Sequence, residues 1–347
     1  MESESSFSLL TPPLPLLGLA MNRYVLRRIV QMLPVLFGIT IITFTFTELA
    51  PGDAVSAMIL MDFETGTGGD EGSNADKLRE KYGLDKSPPV RYLQWMGGLF
   101  QGNLGVRIRS KIPVGEEIAR RLPATIRLMV AAIVISILLG IPLGIFSALN
   151  QYTPPDYVLT FLAFIGISIP GFFAAIGAIY LFSLKLGWVP TSGYSTIGRD
   201  LGLWDTMLDR ARYLVLPAIV LGLDSTAGIM RYTRSSVLEV VRLDYITVAR
   251  SKGLNDTVVI FRHILRNALL PVITIIGLRL PSLFGGSIII ETIFNWPGMG
   301  ILYLDGVATR DYPLIMGMVL VSALTIVFSN LITDLTYGAI DPRIRYE

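Results

Sequence analysis

A short polar segment between two apolar stretches contains the most specific spacing of conformationally special residues in the chain. Asp244 can cap the start of a helix, Gly253 can take the left-handed backbone that ends one, and Asp256 can cap the next. The segment from Asp244 to Pro271 is therefore predicted to form two short helices joined by a tight turn. We interpret it as a docking element ordered by Asp244, and not as a catalytic one.

The side chains around this turn indicate how a partner would bind. Ala249 lies one helical turn before Gly253, so its small side chain would let a partner surface come close to the backbone. Tyr245 and Leu254 offer apolar bulk, and Arg250 completes the predicted docking set. A helix-turn-helix that binds DNA is the alternative, but the segment is tethered at both ends to apolar spans. The net charge of +2 also argues against a nucleic-acid partner.

Two ionisable residues, Asp224 and Arg279, interrupt stretches that are otherwise apolar. A central charge in a spanning helix costs roughly 2.5 to 3.5 kcal/mol, so neither side chain is expected to face lipid. Both lie roughly 10 to 12 Å from the same end of their helices at 1.5 Å per residue. They therefore either pair with each other or line one water-filled passage. Glu291, nearer the other end, either gates the outer mouth of that passage or sits at the interface.

The sequence offers little for bond chemistry. It has no cysteine, and its one histidine, His263, falls in the polar docking segment. The run Gly166–Gly171 departs from the pattern of a hydrolase nucleophile elbow, which argues against an intramembrane hydrolase. No G-x-x-x-x-G-K-[ST] phosphate loop is present, so ATP cannot bind by that route. We therefore expect a protein that is not an enzyme and that receives energy from separate subunits.

The elements that must position these residues are membrane helices. The hydrophobic fraction is 52%, and the apolar residues form continuous runs close to the roughly 20 residues that a bilayer requires, without the alternation of a strand barrel. The fold class is therefore an all-α polytopic membrane protein. Its six predicted spans are Ile29–Thr47, Leu128–Leu149, Tyr157–Leu184, Tyr213–Met230, Leu269–Ile290 and Pro313–Thr333.

Within the second span, Gly140 and Gly144 flank Pro142 at the spacing that lets helix backbones approach each other. Close packing is the expected role of these glycines, and a hinge is the alternative.

Basic residues set the orientation of the spans. Arg23, Arg27 and Arg28 precede the first span, which places the N-terminus in the cytoplasm by the positive-inside rule. Six spans return the C-terminus, with Arg343 and Arg345, to the same side. The docking segment, rich in Lys and Arg, then also lies inside. The long loop after the first span is basic as well, but loops longer than about 60 residues cross largely regardless of charge.

The predicted organisation follows from these assignments. Residues 1–20 form a disordered tail, 21–50 the first transmembrane helix and 51–122 an external loop or cap. Residues 123–347 form the core domain with five transmembrane helices, and a cytoplasmic loop at 232–270 contains the docking segment.

Several motifs together resemble the permeases of bacterial ABC importers, in particular the dipeptide/oligopeptide (peptide/nickel) family. The docking segment is similar to the coupling (EAA) loop of those permeases, although Thr247 replaces the leading Glu, so a contact through that carboxylate is not expected. The likeness begins at Met21 and covers nearly the whole chain. The motifs are Pro51-Gly52-Asp53, Arg121–Thr125, the spacing of Ala249, Gly253 and Leu254, His263–Pro271, and Trp296–Gly300.

The resemblance implies a type I ABC importer permease fold and a set of partners. These are a second homologous permease, two cytoplasmic ATPase subunits that bind ATP and Mg²⁺, an external substrate-binding protein and membrane lipid. It also implies alternating access driven by the ATPases, no cofactor in this chain, and a bacterial or archaeal cytoplasmic membrane. Di- and oligopeptides are the expected substrates, with oligosaccharides or nickel complexes as the alternative. An ion-coupled secondary transporter is less consistent with the sequence, because it would show internal repeats and more embedded charges.

Overall fold

The computed structural model describes residues 14–50, 55, 79–80, 85–108, 110–196, 198, 202–279 and 287–340. Within these ranges the chain is helical, apart from turns and one isolated antiparallel bridge between Val106 and Pro113. We number the helices in chain order: α1 (Leu14–Leu49), α2 (Pro88–Phe100), α3 (Val114–Leu149), α4 (Pro154–Ser168), α5 (Gly171–Ala178), α6 (Leu203–Val241), α7 (Asp244–Ser251), α8 (Asp256–Val258), α9 (Leu265–Gly277), α10 (Ile288–Ile293), α11 (Met299–Ala308) and α12 (Tyr312–Ile340). Wide π turns continue α5 over Ile179–Lys185 and join α8 to α9 over Val259–Ile264.

Membrane-spanning helices dominate the described part of the chain. Five helical segments are long and apolar enough to cross a bilayer, and the bent pair α4–α5 makes a sixth if it counts as one span. The prediction of an all-α polytopic membrane protein is confirmed. The number of spans agrees with the predicted six when the bent pair is counted in this way.

The third span differs from the continuous helix predicted over 157–184. It breaks between Ser168 and Gly171, and its two halves meet at an angle of 101°. Pro170 lacks a backbone N–H, and Ile169 before it adopts an extended conformation with φ −80° and ψ 121°. The single residue Pro170 therefore divides an otherwise uniformly apolar run.

Only part of the predicted fifth span, Leu269–Ile290, falls within the described residues. A helical segment that is long and apolar enough to cross a membrane runs over Asp256–Gly277, and α10 begins at Ile288 beyond the residues that the structure does not describe. Gly285 and Gly286, where the sequence would allow a helix to bend, lie outside the described residues. The helix that leads into the predicted fifth span therefore begins within the predicted loop 232–270.

The N-terminal boundaries shift for a local reason. The structure begins α1 at Leu14, so the predicted disordered tail overlaps helix over 14–20, and residues 1–13 lie outside the described part. Pro15 is tolerated because it sits in the first turn of the helix, where its missing N–H is not needed.

The predicted external segment contains α2, which packs Tyr92 and Trp95 against Phe44 of α1.

The centre of the bundle is the contact between α3 and α6. A Cβ added to Gly144 would lie 2.6 Å from the Met230 carbonyl oxygen, and one added to Gly140 would lie 2.8 Å from Ile229 Cγ2. Gly222 of α6 approaches α3 equally closely in return. The prediction that Gly140 and Gly144 allow close helix packing is confirmed. We call the end of the bundle that carries α7 the α7 end, and the end that carries Trp296 the opposite end.

Candidate functional site

The loop around Gly253 forms the predicted pair of helices. Gly253 has φ +75°, the left-handed conformation that the sequence predicted, and a Cβ there would meet no atom within 4 Å. The capping predictions are wrong by one residue. Leu243 precedes α7 and Asp244 is its first residue, while Asn255, and not Asp256, caps α8 by accepting a hydrogen bond from Thr257 N at 2.9 Å. Asp244 and Asp256 still lie in the first turns of their helices, where a negative charge interacts favourably with the helix dipole.

The loop is anchored by apolar side chains on the inner side of α7. Ile246 is 1% exposed and Ala249 is 6% exposed. They belong to one cluster with residues from the ends of α3, α6 and α9 and from the π turn, namely Ala148, Val237, Val259, Ile264, Leu265 and Ala268. The expectation that Ala249 leaves room for a partner is therefore corrected. Its small side chain lets α7 approach its own bundle.

The outer side of the loop is exposed and partly apolar. We define the loop face as Leu243, Tyr245, Val248, Leu254 and Val258, whose side chains are between 40% and 52% exposed. Tyr245 and Val248 lie three residues apart and therefore share a side of α7. Val248 was missed by the sequence reasoning, although its helical spacing from Tyr245 was a usable signal.

Two polar contacts hold residues of this loop in place and leave the loop face exposed. Tyr245 Oη accepts a hydrogen bond at 2.9 Å from Asn267 Nδ2 of α9. Arg250 faces Asp256 across the turn at 3.7 Å, and both side chains are more than half exposed. Such an exposed pair contributes little stability. The charge of Arg250 remains accessible to a partner.

The two charges within the spans do not form an ion pair with each other. Arg279 Nη1 donates a hydrogen bond at 2.6 Å to Ser225 Oγ, the residue after Asp224. No ion pair joins Asp224 and Arg279, both of which are described, and Asp224 is exposed on α6. Direct pairing, one of the two alternatives, is therefore not the arrangement of this conformation.

Glu291 has surroundings unlike those of an interface residue or an open mouth. Its side chain is completely buried, its Oε1 accepts a hydrogen bond at 2.9 Å from Thr125 Oγ1, and its Oε2 accepts one at 2.6 Å from Gly300 N. A Cβ added to Gly298 would lie 2.5 Å from Glu291 Oε2. In this conformation Glu291 holds the turn between α10 and α11 against α3.

A second buried charge network lies at the opposite end and was missed by the sequence reasoning. Arg107 donates hydrogen bonds to Asp305 and, at 3.2 Å, to Asp311, and its Nη1 lies 4.0 Å from Glu117 Oε1. Burial acts to lower the pKa of the Arg107 guanidinium, but the two hydrogen-bonded aspartates outweigh it and raise that pKa. Asp305 and Asp311 lie about 200 positions from Arg107, so no local pattern could reveal the contact.

The sequence reasoning also missed a charged contact near the α7 end, between Asp156 of α4 and Arg234 of α6. Beside it, a cleft of about 620 Å³ lies between α4 and α6.

Nothing in the described residues resembles a metal centre, because no three His, Asp or Glu side chains are grouped suitably among them. The described side chains therefore form an exposed, partly apolar loop face and charged contacts between helices.

Comparison with known proteins identifies the family to which this membrane bundle belongs. The model of the binding-protein-dependent transport system inner membrane component matches residues 140–346, and the model of its N-terminal part matches residues 21–129. The chain belongs to this family. It is therefore an integral inner-membrane transport component, and the family implies separate ATPase and substrate-binding partners.

Curated relatives match almost end to end. The oligopeptide transport system permease protein AppB of Bacillus subtilis is 44% identical over 94% of this chain and 100% of that protein. The dipeptide transport system permease protein DppB of Escherichia coli K12 is 38% identical, again over 94% of this chain and 100% of that protein. The di/tripeptide transport system permease protein DppB of Pseudomonas aeruginosa has the same identity and coverage.

The fold also has a counterpart among solved structures. A chain of the MetNI methionine ABC transporter, in an inward-facing conformation, superimposes with a TM-score of 0.52 at 15% sequence identity. The match covers 65% of this chain and 96% of that one. At this identity the likeness establishes the fold alone, and it confirms the predicted ABC importer permease architecture.

Proposed function

We propose that this chain forms half of the translocation passage of an ATP-driven importer. A second homologous permease supplies the other half, two ATPase subunits bind ATP and Mg²⁺, and an external binding protein delivers the substrate. No cofactor is assigned to this chain. Movement of the ATPases enters the bundle through the loop around Gly253 and switches the passage between its two openings.

The observation that carries this proposal is the two-sided construction of the loop. Its outer side, the loop face, presents exposed apolar side chains beside Arg250. Its inner side inserts Ile246 and Ala249 into a cluster shared with three long helices. Because a close-packed cluster does not deform continuously, a displacement of α7 is passed on to the ends of those helices.

The proposed orientation places the α7 end in the cytoplasm. The arginines before the first span and in the loop support it through the positive-inside rule. Both termini then lie in the cytoplasm of a bacterium or archaeon. The docking loop would face the compartment that contains ATP.

The proposed substrates are di- and oligopeptides. Support comes from the printed functions of the relatives, which name oligopeptides, dipeptides and di/tripeptides. Proteoliposomes with the complete importer should accumulate a labelled dipeptide, and unlabelled peptides should compete. Competition by a trisaccharide or a nickel complex, without competition by peptides, would contradict this assignment.

Gly253→Val tests the coupling role. A β-branched residue at φ +75° costs about 1 to 3 kcal/mol, and the empty space around Gly253 means that the change adds backbone strain without a clash. This strain should move the loop out of its observed conformation while the protein still inserts, and we expect uptake per ATP hydrolysed to fall by roughly tenfold, the equivalent of about 1.4 kcal/mol.

Two controls make the test specific. Gly187 also has a positive φ, +64°, and open space around it, but it lies outside the loop, so Gly187→Val should leave uptake per ATP hydrolysed near the wild-type value. Gly253→Asn should retain most uptake, because Asn tolerates the left-handed conformation. Normal uptake by Gly253→Val would refute the proposed coupling role.

A further inference from the structure

A buried, bidentate ion pair joins the cytoplasmic halves of α4 and α6. Arg234 Nε donates to Asp156 Oδ1 at 2.9 Å, and Arg234 Nη2 donates to Asp156 Oδ2 at 2.8 Å. The Asp156 side chain is only 2% exposed, whereas that of Arg234 is 26% exposed. Paired donation of this kind fixes the relative orientation of two groups as well as their distance.

Other donors fix the same carboxylate to the end of α3. Ser147 Oγ donates to Asp156 Oδ1, and Tyr152 N, in the turn between α3 and α4, donates to Oδ2 at 3.0 Å. Asp156 therefore joins three helices at one point. Removing the carboxylate charge would leave the partly buried Arg234 without its counter-charge.

Apolar packing near this point is incomplete. The cleft between α4 and α6 is lined by Phe164 and Ile167 on one side and by Met230 and Leu238 on the other, and Arg234 also borders it. The ion pair therefore adds a polar link between the two helices beside a place where the space between them is partly open.

The ion pair lies on the route from the docking loop to the broken span. The helix that carries Arg234 ends at Val241, and α7 begins at Asp244. The helix that carries Asp156 ends at Ser168, just before the 101° break. A displacement received by α7 would therefore reach the break through α6, the ion pair and α4.

We propose that Asp156 and Arg234 are positioning residues that make α4 move together with α6, so that the break at Ile169–Pro170 takes up the motion relative to α5. This inference rests on the proposed coupling role of the Gly253 loop. It assigns to the ion pair the task of carrying loop movement into the third span, where α4 and α5 meet.

The functional test uses the complete importer in proteoliposomes and measures substrate uptake per ATP hydrolysed. Asp156→Asn and Arg234→Gln should each lower this ratio by about tenfold, in the range seen for coupled charge pairs. Arg234→Lys, which keeps the charge, should retain more of this ratio than Arg234→Gln, and Asp156→Glu, which keeps the carboxylate acceptor for Ser147, Tyr152 and Arg234, should retain more than Asp156→Asn. Arg231→Gln is the matched control, because Arg231 is an exposed arginine on the same helix that borders the same cleft.

A distance measurement keeps the proposal testable even if the charge variants fail to assemble. The chain has no cysteine, so spin labels can be attached to cysteines introduced at exposed positions when the partner subunits are cysteine-free. The Tyr157–Tyr232 pair reports on α4 against α6, and the Tyr157–Phe173 pair reports across the break. Between nucleotide-free and ATP-bound importer, the first distance should change by about 2 Å or less and the second by more.

The combined results distinguish a failure of this inference from a failure of the proposed function. If Gly253→Val uncouples the importer while Asp156→Asn does not, the coupling loop stands and the positioning role falls. If the Tyr157–Tyr232 distance changes by more than about 2 Å during the cycle, or if the Tyr157–Phe173 distance changes no more than it does, the common movement of α4 and α6 is also refuted. If Gly253→Val itself remains coupled, the proposed function fails first, whatever the ion pair does.

Discussion

The role of each charged residue in this chain depends on whether its side chain is buried among hydrogen-bond donors or exposed. Glu291 and Asp156 are enclosed and fully engaged by donors, so they hold helices together. Asp224 is exposed on a spanning helix. A charge in that position is too costly to face lipid, so it must face water or another subunit. We therefore propose Asp224 and Arg279, but not Glu291, as residues that line the passage.

Charge reversal tests the roles of Asp224 and Arg279. Because Arg279 reaches Ser225 and not Asp224, we expect Asp224→Arg and Arg279→Asp each to lower uptake, and the double variant not to restore it. The measurement is initial uptake of a labelled dipeptide, with Ser225→Ala as a control for the lost hydrogen bond alone. Recovery in the double variant would reveal direct pairing in another state, and unchanged uptake in both single variants would remove these residues from the passage.

At the scale of helices, the bundle combines one closely packed helix pair with one broken span. Small residues bring α3 and α6 into backbone contact, so this pair forms an unbroken centre. Pro170 instead breaks the third span, so α4 and α5 point in different directions. The docking loop is attached to the ends of the tightly packed helices, and the break lies beyond them. In sequence, the break lies between α3 and α6, the two helices that form the closely packed pair.

Gly144→Ala should weaken the contact between α3 and α6. Its Cβ would come within 2.6 Å of a backbone oxygen that cannot move aside, and such overpacking costs about 1 to 3 kcal/mol. We expect a lower midpoint of thermal unfolding for the purified chain in detergent. Gly177→Ala is the matched control: Gly177 is also helical, but nothing lies within 4 Å of an added Cβ. Equal midpoints for the two variants would show that the close approach is not needed.

At the scale of the whole molecule, much apolar surface remains uncovered by the chain itself. Only 17% of the most apolar window of the span Val30–Leu49 is buried, and 28% of that of Tyr312–Thr333. Lipid can cover surface of this kind along the spans. The loop face is different because four of its five residues lie outside the candidate spans and only Val258 lies in the first turn of one. Exposed apolar side chains grouped in this way are what the proposed contact with the ATPases requires.

Tyr245→Asp combined with Val248→Asp should prevent the ATPase subunits from binding. Two carboxylates would replace apolar anchors on one side of α7, and loss of such anchors weakens interfaces by about thirtyfold or more. Co-purification of the ATPases with the solubilised permease measures the effect. Trp204→Asp, an equally drastic change at a side chain 78% exposed at the start of α6, should leave binding intact. Retention of the ATPases by the double variant would place their contact elsewhere.

Much of this molecule could be read from local patterns along the chain. Continuous apolar runs fixed the helical membrane class, because a bilayer leaves the backbone few ways to satisfy its hydrogen bonds. The Gly140 and Gly144 spacing predicted close packing, and the isolated Gly253 predicted the left-handed turn. Each of these features depends on neighbours within one or two helical turns, which is the range that a sequence pattern reports.

Only the tertiary structure decided which side chains meet. It turned Ala249 inward, enclosed Glu291, and paired Asp156 with Arg234 across 78 positions of sequence. A helix has several faces, and the sequence of a span that is apolar all round does not say which face is covered. The contacts between distant charges follow from the packing of whole helices, and that packing is settled by many weak interactions at once.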